Sequence, residues 1–312
     1  MINNKQLYQQ FCEQEQEIPL FLQFTWFNTL YADNEWNVAV IEKGNDVVGV
    51  LPYVITKKKG FNLITPQFLS PYQGVWIKYP VGQKYASKIG YEKEIMNGLI
   101  DQLPKMAAFK QNFLPQITNW MPFNWKGYEQ TTRYTYIIND LSDTTKVFAD
   151  FKDNIRREIR KAEKSLTVST ILDIDLMYQM KLKVYQHNKE EYVIPFEKLK
   201  TVDAYCKEHN CGELLVAKDE EGNVHAVLLY VWDAVSAYYL HGVTATAFKT
   251  SGAMSLLLWE AIKRSSEKTK AFNFEGSMVE PIERYFRAFG GNQTPYFQVS
   301  KTDSKMLKLL NY

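Results

Sequence analysis

Two stretches in the second half of the chain carry residue types suited to group-transfer chemistry. Phe248-Lys249-Thr250-Ser251-Gly252-Ala253 sets a cation, two hydroxyls and two small residues at the start of an apolar-striped helix. Unpaired N–H groups and the helix dipole attract an anion such as a pyrophosphate there. The same residues also suit a plain helix cap, with Ser251 accepting from the first turn and Gly252 easing the chain in. Further on, Phe272-Asn273-Phe274-Glu275 alternates, with both rings on one face and Asn273 with Glu275 on the other, before Gly276-Ser277. A carboxylate at the C-terminal end of a strand lies at the crevice where open α/β sheets bind ligands, and suits a general base. A solvated turn glutamate is the plainer alternative. On a neighbouring strand Tyr239 and His241 are expected to share a face, and either can donate or relay a proton unless the histidine is structural.

A third stretch, Phe151 to Lys164, reads as a helix with Phe151, Ile155, Ile159 and Ala162 on one face. Arg156 with Arg160, and Arg157 with Lys161, are then neighbours one turn apart on the opposite arc. Arginine forks match phosphate oxygens, which suits a phosphate-bearing partner. Asp153 and Glu158 are spaced to pair with these cations, which suits an exposed, salt-laced face. A further helical stripe, Ile282, Tyr285, Phe286 and Phe289, starts at Pro281 and stops at Gly290-Gly291.

The elements that must position these groups repeat along the chain. Val38 to Tyr53 reads as strand, Gly-Asn turn, strand, and Leu214 to Tyr230 repeats the design around Gly222-Asn223. Each hairpin is followed by strand and amphipathic helix: Val75-Trp76-Ile77 with Ile95, Met96, Leu99, Ile100 and Leu103, then Val235 to His241 with Met254, Leu257, Leu258, Ala261 and Ile262. Ala271 to Glu275 then completes a parallel crossover. Two lobes follow, 1–143 and 144–312, divided near the polar stretch Asp140 to Thr145. The first-lobe counterpart of the small-residue loop, Lys84 to Tyr91, lacks a Gly-Ala start, so the first lobe is expected to form the acceptor side.

A length of 312 residues favours two cores over one, and 46% hydrophobic with 23% charged residues is a globular balance. The net charge of +2 excludes the strong basic field of a DNA-binding protein. Met1 to Phe11 lacks the apolar segment of a signal peptide and no apolar run is long enough to span a bilayer, which makes the cytoplasm the expected compartment. Cys12, Cys206 and Cys211 fit neither a disulfide framework nor a metal site.

Asn154-Ile155-Arg156-Arg157-Glu158-Ile159-Arg160-Lys161-Ala162-Glu163-Lys164 resembles the signature of the FemABX-like branch of the GNAT (acyl-CoA N-acyltransferase) superfamily. Gly252-Ala253 with Leu257 to Ile262, Phe272 to Gly276, and Phe286 to Gly291 resemble that family's donor helix and two later segments. The resemblance runs chiefly over residues 150 to 300. It implies a tandem duplicated GNAT-like fold of α/β (α+β) class, two mixed sheets flanked by helices. It also implies transfer of an acyl group from acyl-CoA, or of an aminoacyl group from a charged tRNA, to an amine of a small molecule or a peptidoglycan precursor. On that basis Lys249, Ser251, Gly252 and Ala253 hold the donor phosphates, Glu275 is the base with Tyr239 and His241 beside it, and Arg156, Arg157, Arg160, Lys161 and Tyr285 face substrate. One departure stands out. Where the family often has a Tyr four residues before the helix-ending Gly, this chain has Phe286, and Tyr285 is offset by about 100 degrees on a helix. A catalytically silent module that binds a phosphorylated sugar or peptide is the alternative this motivates.

Overall fold

The computed structural model describes residues 3–309. The chain runs α1 (Asn4–Gln14), α2 (Phe24–Leu30), β1 (Trp36–Lys43), β2 (Asp46–Lys58), β3 (Phe61–Ile64), β4 (Trp76–Ile77), α3 (Tyr85–Asp101), β5 (Ala108–Asn112), α4 (Met121–Trp125) and β6 (Glu129–Ile138). It continues α5 (Thr144–Asp150), α6 (Asp153–Ala162), β7 (Thr167–Thr170), α7 (Ile174–His187), α8 (Phe196–His209), β8 (Gly212–Lys218), β9 (Val224–Trp232) and β10 (Ser236–Thr244). It ends α9 (Ala253–Ser265), β11 (Ala271–Asn273), α10 (Glu280–Arg287), β12 (Asn292–Thr302) and α11 (Lys305–Leu309).

These elements form two compact units: one of residues up to Arg133 and from Pro295, the other Tyr134–Thr294. The division differs from the expected one in two places. The polar stretch near 143 lies inside the second unit, where Leu141 is buried in the core. The end of the chain returns to the first unit, because β12 pairs antiparallel with β5 from Gln298 opposite Asn112 to Thr302 opposite Ala108.

In the first unit β1 and β2 form the expected hairpin, β2 also pairs antiparallel with β3 and β4, and β3 runs parallel to β5. The helix stripe Ile95, Met96, Leu99 and Ile100 is buried as expected, whereas Leu103 lies beyond the end of α3.

In the second unit the sheet order is β6, β11, β10, β9, β8, β7, with β10 and β11 parallel and the other pairs antiparallel. Both units are therefore mixed α/β structures. Alternation along β9 sorts the helices. Ala226, Leu228, Tyr230 and Trp232 join the core that holds Ile155 and Ile159 of α6 and Leu257, Leu258, Ala261 and Ile262 of α9. Val231 points the other way, beside Gly212 and Cys206 of α8. The apolar stripes read from the sequence thus bury α6 and α9 on one face of the sheet.

Candidate functional site

The start of α9 is shaped by a close approach of two helices. Gly252 takes the left-handed conformation, φ +78°, and a β-carbon there would lie 2.9 Å from the Glu158 carbonyl oxygen and 3.4 Å from the Ala162 β-carbon. Glycine meets both demands. Gly252 rather than Ser251 occupies the cap position, and Ser251 Oγ accepts from Ala253 N at 3.3 Å. The first helical bond runs from Leu256 N to the Gly252 carbonyl, so the helix leaves the Met254 and Ser255 N–H groups without an internal acceptor. Both residues, with Glu158, Thr244, Lys249, Thr250, Gly252, Ala253 and Tyr285, line a cavity of about 430 Å³.

Two residues of this wall take a part not expected from the sequence: Ser255, which was not singled out there, and Glu158, which was expected only to pair with the α6 cations. Ser255 Oγ donates to Glu158 Oε2 at 3.0 Å and lies 2.9 Å from the Tyr285 hydroxyl. The serine has one proton, and its donation to the carboxylate makes Tyr285 the donor to Ser255. Tyr285, Ser255 and Glu158 form a hydrogen-bonded chain from the cavity to an exposed carboxylate. The spacing signal was present: Ser255 follows Gly252 by three residues, and Glu158 lies one turn before Ala162 on the α6 face that meets it.

Tyr285 also revises the reading of its neighbour. Phe286 is buried, with Tyr239 at 5.4 Å and Phe274 at 5.5 Å between ring centroids, and helical offset carries Tyr285 to the cavity. A hydroxyl does reach the cavity at the start of α9, from the position adjacent to the expected one. Burial pushes its pKa above the ordinary tyrosine value, so it stays protonated at neutral pH.

Glu275 stands outside this wall. Its backbone is left-handed, φ +61°, and so is that of Gly276, φ +65°. Asn273 Oδ1 holds the turn by accepting from Glu275 N at 2.8 Å and from Thr135 Oγ1 at 2.6 Å. Glu275 Oε1 is enclosed with no hydrogen-bond partner, and burial raises its carboxyl pKa well above the usual carboxylate range. Glu275, and beyond it Tyr185, help burial to keep the Tyr239 hydroxyl protonated, and Tyr239 in turn adds to the pKa rise at Tyr285. Tyr239 and Glu275 follow the last pairing of β10 with β11, Tyr238 opposite Asn273.

Tyr239 and His241 do not share a face. The register of β10 against β9 shifts between them, leaving Leu240 without a partner and reversing the alternation. Tyr239 packs on the α9 side, with its ring against the Gly242 backbone. His241 instead meets Tyr192, from the connection between α7 and α8, with Nε2 2.8 Å from the hydroxyl. Burial, then the charge of Lys181, lower its pKa to about 3, so His241 is neutral and cannot act as a cationic acid.

The cations of α6 do not gather at the cavity either. Arg156 binds Asp153 and the Ala149 carbonyl, and Arg160 lies over the Phe148 ring at 5.6 Å. Neither these two nor Arg157 nor Lys161 lines the cavity wall, to which α6 contributes Glu158. Among the described residues no group of His, Cys, Asp or Glu is placed to hold a metal ion, and no helix is long and apolar enough to cross a membrane.

Lys181 of α7 is desolvated, which lowers its pKa from 10.5 to about 8. Between those values the unfolded chain binds more protons than the folded one, so this residue makes stability rise with pH across the window. Lys181→Met is expected to raise the thermal midpoint, with the full gain below about pH 8 and a shrinking one toward pH 10.5. Melting curves of both proteins from pH 6 to 10.5 check this; a gain independent of pH would contradict it.

The second unit is thus a mixed α/β domain with a parallel strand pair at its centre and a glycine-started helix beside a cavity. Residues 149–278 match the family model of the acetyltransferase (GNAT) domain. No curated protein matches the chain in sequence. Among solved structures, that of FemX has a TM-score of 0.70 at 13% identity, covering 99% of this chain and 98% of the other. The C-terminal domain of a putative lysylphosphatidylglycerol synthetase from Agrobacterium fabrum has a TM-score of 0.60 at 12% identity over 99% and 96%. A tandem GNAT protein from the clavulanic acid biosynthesis pathway has a TM-score of 0.50 at 10% identity over 88% and 85%. The chain thus has the fold of FemX and of tandem GNAT proteins.

Proposed function

We propose that the second unit transfers an acyl group from acyl-CoA to an amine, with the cavity at the start of α9 as the donor site. The observation that carries this is Gly252, whose missing β-carbon lets α6 and α9 close together while the N–H groups of Met254 and Ser255 stay free. These N–H groups and the Lys249 ammonium suit the two negative charges of a pyrophosphate. Bound there, acyl-CoA would supply a thioester carbonyl activated for attack by an amine.

The protein's own residues divide the remaining work. Glu275, enclosed and raised in pKa, takes the proton that the acceptor amine must lose, directly or through Tyr239. Tyr285 is the acid for the departing sulfur, and the Ser255–Glu158 chain returns a proton to it from solvent. Phenylalanine at 285 keeps the ring packing and removes the proton. Tyr285→Phe is expected to lower kcat about tenfold with little change in donor affinity, because a thiolate is already a fair leaving group at a thiol pKa of ~8.5. Steady-state kinetics with acetyl-CoA check this, and an unchanged kcat would remove Tyr285 from the acid role.

The resemblance to the Fem branch supports an acceptor among cell-envelope precursors, or a smaller amine, and leaves aminoacyl-tRNA as the competing donor. Thiol release from acetyl-CoA and longer acyl-CoAs, run beside transfer from charged tRNA, tests the reading. Acyl-CoA turnover supports it; transfer from charged tRNA alone would reassign the donor.

A further inference from the structure

A second group of polar side chains in the same unit lies outside the donor cavity and has no task so far. Tyr178, Lys181 and Tyr185 follow at three- and four-residue spacing and so share one face of α7, with the Lys181 ammonium 6.0 Å from the Tyr185 ring centre. Tyr192 stands among them, its ring 5.6 Å from Tyr178, 5.2 Å from Tyr185 and 5.9 Å from His241. Its hydroxyl meets His241 Nε2.

The charges in this cluster do not balance. Among the described residues no carboxylate pairs with Lys181, and burial alone accounts for its lowered proton affinity. His241 is neutral beside it, and burial keeps Tyr192 protonated. At neutral pH the cluster holds one desolvated ammonium and several hydroxyls, an arrangement that is costly unless an anion completes it. A single ammonium matches a single negative charge. Phosphate recognition by arginine forks or a glycine-started helix is absent from these residues, whereas the donor loop has the latter.

We propose that Lys181, with Tyr178, Tyr185 and Tyr192, binds a carboxylate carried by the acceptor, which makes the acceptor an amino acid or peptide rather than a simple amine. The proposal rests on the acyl-transfer reading and extends it to the other substrate. Tyr192 bonds His241, two residues beyond Tyr239 on β10, and the Tyr185 side chain helps to raise the Tyr239 pKa. A carboxylate held at Lys181 therefore directs the rest of the molecule toward Tyr239 and Glu275, where its amine loses a proton. In the transfer the amine nitrogen bonds the acyl carbon and passes its proton to Glu275, while the carbon–sulfur bond breaks and the sulfur takes the Tyr285 proton to leave as CoA thiol.

The test pairs L-alanine, L-lysine and L-alanyl-L-alanine with their C-terminal carboxamides. Saturation-transfer NMR without donor is expected to detect the acids and not the amides, and to lose the acids in Lys181→Met. With acetyl-CoA present, kcat/KM is expected to favour acid over amide at least tenfold in the native protein. That ratio should fall to near one in Lys181→Met and recover in Lys181→Arg, with matched circular dichroism confirming folded variants. Equal binding of acids and amides, no binding of any acid, tighter binding of inorganic phosphate, or an unchanged ratio in Lys181→Met would each overturn the proposal. Acids that bind while acetyl-CoA does not would sink the acyl-CoA reading and leave the carboxylate site standing.

Discussion

Glu275→Gln is expected to lower kcat/KM by about 10²- to 10⁴-fold, the range spanned by loss of one general base. Glutamine has nearly the shape of glutamate, and Oε1 has no hydrogen-bond partner to lose, so the variant should fold. The effect is then chemical. In the native protein the base works only when ionised, so the rate should fall with decreasing pH through the raised Glu275 pKa, well above the usual carboxylate range. In Glu275→Gln that acidic limb should vanish along with most of the rate. A variant with full activity would remove Glu275 from the base role, and low activity with an intact acidic limb would assign the limb to another group.

The second large effect is on stability. A β-carbon at Gly276 would lie 2.1 Å from the Tyr134 carbonyl oxygen and 2.5 Å from the Thr135 α-carbon, with φ already at +65°. Both atoms belong to β6, which holds β11 through Phe272 opposite Ile138 and Asn273 opposite Ile137. Backbone cannot swing aside as a side chain can. Gly276→Val is therefore expected to destabilise the second unit by about 3 to 5 kcal/mol, at the upper end of single-substitution effects. Gly44 is the control: it has a similar φ of +66° and nothing within 4 Å of an added β-carbon. Gly44→Ala should cost only the conformational term, about 1 kcal/mol. Urea unfolding of both variants decides it; similar costs would show that the tight turn after β11 yields.

The contrast between these glycines marks what sequence can and cannot express. Gly44 and Gly222 announce hairpins because local turn chemistry suffices, and the two hairpins with their following helices made the repeated layout readable. Lys249, Gly252, Ala253 and Tyr285 do meet in one cavity. Gly252 reads as a helix start, but its closeness to Glu158 depends on how α6 packs, which no local pattern encodes. His241 was misplaced by one register shift, because alternation holds only while a strand stays regular. Tyr285 and Phe286 exchanged their expected significance for a similar reason: a motif offset of one residue turns a helix position by about 100 degrees. Lys181 drew no notice, since a lysine between tyrosines on a helix looks like a solvated face until packing sets it near His241 of β10.

The hydroxyl of Tyr285 also bears on the silent-module alternative, whose motive was the phenylalanine at 286. With Tyr285 bonded to Ser255 beside Gly252, the unit holds a hydroxyl at the cavity, a hydrogen-bonded path from it to the Glu158 carboxylate, and an enclosed carboxyl at Glu275.

The most direct measurement is calorimetric titration of the protein with acetyl-CoA and CoA, in native form and as Gly252→Val. The variant adds bulk 2.9 Å from the Glu158 carbonyl and forces φ +78° on a branched residue, at the point where the donor must approach. The account predicts saturable one-to-one binding of both ligands to the native protein and at least a tenfold loss in the variant, with urea unfolding showing the variant still folded. Absence of binding to the native protein at millimolar ligand, or undiminished affinity in folded Gly252→Val, would contradict a donor site at the start of α9.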